Sequence, residues 1–172
     1  STLGDIEPGV SHILHGEAGS RGTVRGGYGL RAANDSGRAA VNITGFRTDG
    51  ISAAAGGDER DGYKNATFDA AGDYQFIEIF SVFGSLLYID ADADYDDSSP
   101  VADNPFNFNM NQQKAGRAGI NVDLMDGRLK NTLSVQAFEV DRGIRSVSMF
   151  GPFDADYIGQ RQKIDYQGSF DV

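Results

Sequence analysis

The chain has 172 residues, with 15 Lys+Arg against 25 Asp+Glu and no Cys. That acidic excess argues against a nucleic-acid backbone as partner, since no basic surplus exists to displace counterions. Zero Cys excludes disulfide frameworks, thiolate metal sites and a Cys nucleophile. Gly is 23 and Pro only 4, a Gly load that suits neither helical domains nor collagen. Mean hydropathy is −0.37, and no apolar run reaches the length of a membrane helix. A membrane β-barrel is not excluded, because its signal is alternation rather than a long apolar stretch.

Taken in chain order, period-2 alternation dominates. A weak run covers 10–18, followed by a short connection at 19–22. Strands are expected at 23–33 and 38–49, joined by the turn Asn34-Asp35-Ser36-Gly37, whose residues tolerate positive φ. A long polar loop spans 50–62. The next strand, 63–76, sets Ala66, Phe68, Ala70, Gly72, Tyr74 and Phe76 against Thr67, Asp69, Asp73 and Gln75. A short connection at 77–79 leads to a strand at 80–92. There Leu86, Leu87, Tyr88 and Ile89 are apolar on both faces. Either a β-bulge shifts the register there or the inward face packs against something. A second long loop spans 93–112. The clearest strand is 115–124, with Gly116, Ala118, Ile120, Val122 and Leu124 on one face and Arg117, Asn121 and Asp123 on the other. Asp126-Gly127 then favours a type I′ hairpin. A strand at 128–141, a third long loop at 143–162 and a strand at 163–172 complete the chain.

This amounts to about eight strands of roughly 10 to 14 residues, longer than the usual 5 or 6 and long enough for tilted membrane crossing. Short turns at one end and long loops at the other fit an antiparallel up-and-down transmembrane β-barrel. Aromatics such as Tyr28, Tyr74, Phe80, Tyr88, Tyr166 and Phe170 fall mostly toward strand ends, as an interfacial girdle does. Arg25, Arg31, Asn42, Asp69, Asp73, Arg117, Asn121 and Asp123 are then inward-facing. An Arg facing lipid at mid-membrane costs about 2–4 kcal/mol, so the register that turns Arg117 and Asp123 inward is the stable one.

Several segments resemble a known family. They are Arg47-Thr48-Asp49-Gly50-Ile51-Ser52, Asp58-Glu59-Arg60-Asp61-Gly62-Tyr63-Lys64-Asn65, the run from Asn121 to Ser134, Glu139-Val140-Asp141-Arg142, and Lys163-Ile164-Asp165-Tyr166-Gln167-Gly168. In this order they resemble the barrel of TonB-dependent outer-membrane receptors, nearest the vitamin B12 receptor-like group. The segment Gly19-Ser20-Arg21-Gly22-Thr23-Val24-Arg25-Gly26 resembles early barrel strands just past that family's plug. The resemblance implies that residues 1–172 are a plug-less segment of a barrel of about 22 strands. It implies an outer-membrane location and uptake of cobalamin or an iron–siderophore. The energy would come from the TonB protein, acting through a plug outside this chain. No covalent chemistry, and so no enzyme activity, is expected.

Ligand-like residues gather at the long-loop end. Asp58, Glu59, Asp61, Tyr95, Phe106, Phe108 and Phe150 are the candidate substrate-loop residues. Asp58, Asp61, Asp90, Asp92 and Asp94 are hard oxygen donors that could hold Ca2+, and the resembled receptors use calcium-ordered loops. The run is no EF-hand, because Tyr95 stands where its glycine is needed. His12 and His15 face opposite ways on a strand and make a poor metal pair. One alternative is a free-standing eight-stranded outer-membrane barrel with a structural or binding role. Another is a soluble secreted β-sandwich or surface enzyme.

Overall fold

The computed structural model describes residues 7–51, 60–95, 107–148 and 150–171. These form one antiparallel sheet in simple meander order, with strands β1 (Gly9–Ala18), β2 (Val24–Ala33), β3 (Gly37–Thr48), β4 (Tyr63–Ile77), β5 (Phe80–Asp94), β6 (Phe108–Leu124), β7 (Leu129–Ser148) and β8 (Gly151–Phe170). No helix occurs among the described residues. β1 pairs only with β2 and β8 only with β7, and β1 and β8 do not touch. The sheet is therefore open, with one unpaired edge at each side.

The turns follow local chemistry. Asn34 Oδ1 accepts from the backbone N–H of Ser36 at 3.0 Å and of Gly37 at 2.8 Å, which closes the β2–β3 turn. Asp126 and Gly127 both have positive φ, at 56° and 81°, and Arg128 N–H donates to the Met125 carbonyl at 3.2 Å. This is the expected type I′ hairpin. Glu78 and Ile79 alone join β4 to β5, and a bulge at Gln75/Ile77 sets that corner.

Two expected long loops need correction: 93–112 is shorter at both ends, since β5 runs to Asp94 and β6 starts at Phe108. The third long loop, 143–162, is absent: β7 runs on to Ser148 and β8 starts at Gly151. Arg145 holds this extension by ion pairs to Asp156 at 2.8 Å and Asp154 at 3.8 Å on the facing strand. Polar composition had masked a two-stranded ribbon whose alternation is intact: Phe153, Ala155 and Tyr157 oppose Asp154 and Asp156. The doubly apolar stretch at Leu86–Ile89 contains no bulge, because pairing with both β4 and β6 is unbroken there. Leu87 and Ile89 thus belong to the face opposite Leu86 and Tyr88.

The two faces of the sheet differ sharply. Reading across the register, one face carries, for nine residues of every strand, only uncharged side chains. The windows are 10–18, 24–32, 37–45, 66–74, 80–88, 116–124, 129–137 and 162–170. None of their outward positions is Asp, Glu, Lys or Arg, in a chain that is 23% charged. Of the polar groups there, His12 Nδ1 lies 2.8 Å from the Tyr28 hydroxyl, and Asn131 accepts from the Tyr166 hydroxyl at 2.8 Å. Leu14, Leu86 and Ile164 on this face are 84%, 60% and 74% exposed.

The window slants across the sheet. The row through Val24, at the top of the β2 window, runs through Arg47, Lys64, Asp92 and Met110 to Gly143 on β7. Gly143 lies six residues past Ala137, the top of the β7 window. Six residues over five strand steps corresponds to a slant of about 40° at the usual strand spacings.

The other face bears Arg25, Arg31, Arg38, Asn42, Asp69, Asp73, Arg117, Asn121, Asp123, Lys130, Lys163 and Asp165. Every position expected to point inward lies on it. Hydrogen bonds run along its rows: Asn42 donates to Asp69 at 2.8 Å, Asn121 donates to Ser81 at 3.0 Å, and Thr132 donates to Asn121 at 2.8 Å. The only buried apolar side chains among the described residues are Ala40, Ala71 and Ala91, all on this face beneath its longer side chains. Among the described residues no second layer covers either face.

Candidate functional site

The long-loop end is built on the tops of β3 to β8. On the face that bears the uncharged window, just beyond the window at the long-loop end, charges appear in rows. Lys64 on β4 meets Asp92 on β5 at 2.9 Å, directly opposite in register. The Asp92 carboxylate, by hydrogen bond and then by charge, raises the Lys64 ammonium above its usual range. Lys114 on β6 meets Glu139 on β7 at 3.2 Å, again directly opposite. Hydrogen bonds from Lys114 and Gln160 hold the Glu139 carboxyl below its usual range. Asp49 is approached by Arg47 at 3.8 Å and Arg60 at 3.2 Å, which ties the end of β3 to the approach to β4.

The base of the 95–107 connection is closed by Tyr95 and Asn107. Tyr95 N–H donates to the Asn107 carbonyl at 3.1 Å, and its hydroxyl donates to the Arg145 carbonyl at 3.4 Å. Asn107 is 1% exposed, and its Oδ1 accepts from Val147 N–H at 2.8 Å. This residue locks the β7 extension to the loop base. Nothing in its sequence context singles it out, since the amide acts through a partner 40 residues away. Gly50 has φ of 69°, and a Cβ there would strike the Asp61 carbonyl oxygen. That close approach brings Asp61 against the end of β3.

Among the other candidates, Phe108 opens β6 opposite Arg145, and Phe150 stands 92% exposed in the β7–β8 turn. Asp58, Glu59 and Phe106 lie outside the described residues. Asp90, Asp92 and Asp94 occupy alternate positions along one face of β5. Asp92 is engaged by Lys64, and Asp90 accepts from the Tyr88 hydroxyl at 3.2 Å. Among the described residues no three His or carboxylate side chains converge as a metal-binding group.

The polar face carries a second cluster, of which strand alternation singles out only Asp69 and Arg117. Two adjacent rows cross β4 to β8 here. One holds Asp69, Leu87, Ala115, Phe138 and Arg161, and the other Ala71, Ser85, Arg117, Gln136 and Lys163. All of these but Ala71 line an open concavity of about 440 Å3. Arg161 falls within the expected loop 143–162, and it is its place on β8 that sets it beside Phe138. No family model and no curated protein matches this chain.

Proposed function

We propose that this sheet is part of the wall of an outer-membrane β-barrel, with its uncharged face against lipid and its polar face lining a water-filled lumen. The observation that carries this reading is the slanted, charge-free window. Nine residues along strands tilted by about 40° give a height of about 23 Å, close to the apolar band of membrane barrels, whose strands tilt by about 35–45°. Tyr88 and Phe68 near its upper rim and Phe80, Tyr74 and Phe170 near its lower rim provide interfacial aromatics. A sheet standing free in water would leave this whole face uncovered, at a cost of about 25 cal/mol per Å2 of apolar surface.

Within that reading, the sequence resemblance supports a TonB-dependent receptor for cobalamin or an iron–siderophore, energised through a plug. A free-standing closed barrel of eight strands requires hydrogen bonds between β1 and β8, and these strands do not meet. Further strands pairing with both edges suit the larger barrel better, because unpaired edges are not viable in lipid.

The chain has no native Cys, so single cysteines report cleanly. After insertion into bilayers, cysteines at Asn121 and Thr132 should react with a membrane-impermeant maleimide, and cysteines at Ile120 and Leu133 should not. Equal labelling of both sets would overturn the orientation. Binding of cobalamin and a siderophore panel to the full-length protein tests the solute.

A further inference from the structure

The polar face is more basic than the rest of this acidic chain, and its cations concentrate on β6 to β8. Arg161 has no hydrogen-bond or ion-pair partner among the described residues. Arg117 meets only the Ser134 hydroxyl at 3.4 Å and the face of Phe83 at 4.9 Å. Lys163 is paired with Asp165, which also accepts from Gln136 at 2.9 Å. Asp69, the one acid in these two rows, is four strand steps from Arg161 and accepts from Asn42.

Between these cations lies an apolar floor. Leu87, Ala115 and Phe138 occupy consecutive strands of one row, with Arg161 at its end. The pattern of charge beside a flat apolar patch is unusual for a lumen wall, where polar residues otherwise pair across strands. Two guanidinium groups with no acidic partner leave forked donors directed at no acceptor of opposite charge. Phe138 and Leu87 offer a surface for a ring or alkyl body within the same concavity of about 440 Å3.

We propose that this concavity is a binding subsite for a solute group that joins an anion to an apolar or aromatic body. The carboxylate or phosphate would lie between Arg117 and Arg161, and the apolar body on Phe138 and Leu87. The two anions share the chemistry that a guanidinium recognises. This inference deepens the reading of the polar face as a lumen wall and rests on it.

The test uses the full-length protein in detergent and ligand-observed NMR with three probes: phenyl phosphate, benzoate and neutral benzyl alcohol. Arg161→Gln and Arg117→Gln should each weaken binding of at least one charged probe by about tenfold. Phe138→Ala should weaken it as well, while Arg31→Gln on distant β2 should leave it unchanged. Preference for phenyl phosphate over benzoate, or the reverse, names the anion. Binding of benzyl alcohol as tight as the charged probes, equal losses in Arg31→Gln and Arg161→Gln, or no binding of either charged probe would overturn the subsite. Bilayer insertion of the same variants, scored separately by maleimide labelling, keeps failure of the subsite distinct from failure of the wall reading.

Discussion

Arg38 and Asp73 stand directly opposite each other on β3 and β4, 2.9 Å apart, while the next pair along, Ala39 and Gly72, faces the other way without a polar side-chain atom. Charge on one side of the backbone and its absence on the other is the pattern of the whole sheet in four residues. The ion pair is only half-shielded from solvent, with side chains 39% and 31% exposed. A double-mutant cycle with Arg38→Ala and Asp73→Ala should give a coupling below about 1 kcal/mol that shrinks in high salt. A coupling of several kcal/mol would mean that the polar face is sealed from water.

The β6–β7 turn makes a sharper stability prediction. Gly127 has φ of 81°, and a Cβ there meets no atom within 4 Å. Gly127→Ala should therefore cost about 1 kcal/mol from backbone conformation alone. Gly45 also has open space around it but no positive φ, so Gly45→Ala should be close to neutral. Unfolding in urea from the detergent-solubilised state measures both.

Acid should act on the outer charged row. Lys114 and Gln160 lower the folded-state pKa of Glu139, so its contribution is present above the unfolded value, near about 4.3. That contribution is lost as pH falls through the lower folded-state value. Glu139→Gln should flatten the part of the acid stability profile below about pH 4.3 relative to the parent protein. An unchanged profile would remove the Lys114–Glu139 pair from any stabilising role.

Much of the sheet was readable from the sequence because a strand with two different environments must alternate. Gly116 to Leu124 and Asp126-Gly127 announce their facing and their turn without help. The extension of β7 and β8 was not readable, because Asp154 and Asp156 look like loop residues until Arg145 is seen opposite them. The same misreading hid Arg161. The Asn107 side-chain oxygen accepts from Val147 N–H, 40 residues away, a contact that no local pattern encodes. The acidic run Asp90, Asp92, Asp94 read as a cluster by composition, yet strand geometry spreads it along one row and gives Asp92 to Lys64.

The slanted window predicts where a charge can be tolerated. Ile120 lies near the middle of the β6 window, opposite Val82 and Leu133, and Asn121 is its neighbour on the other face, opposite Ser81 and Thr132. Folding yield of Ile120→Arg and Asn121→Arg into lipid vesicles, followed by protease protection, tests the facing most directly. Ile120→Arg should lose about 2–4 kcal/mol of membrane stability and fail to assemble, while Asn121→Arg assembles nearly as the parent does. Equal assembly of the two variants would contradict the assignment of the uncharged face to lipid.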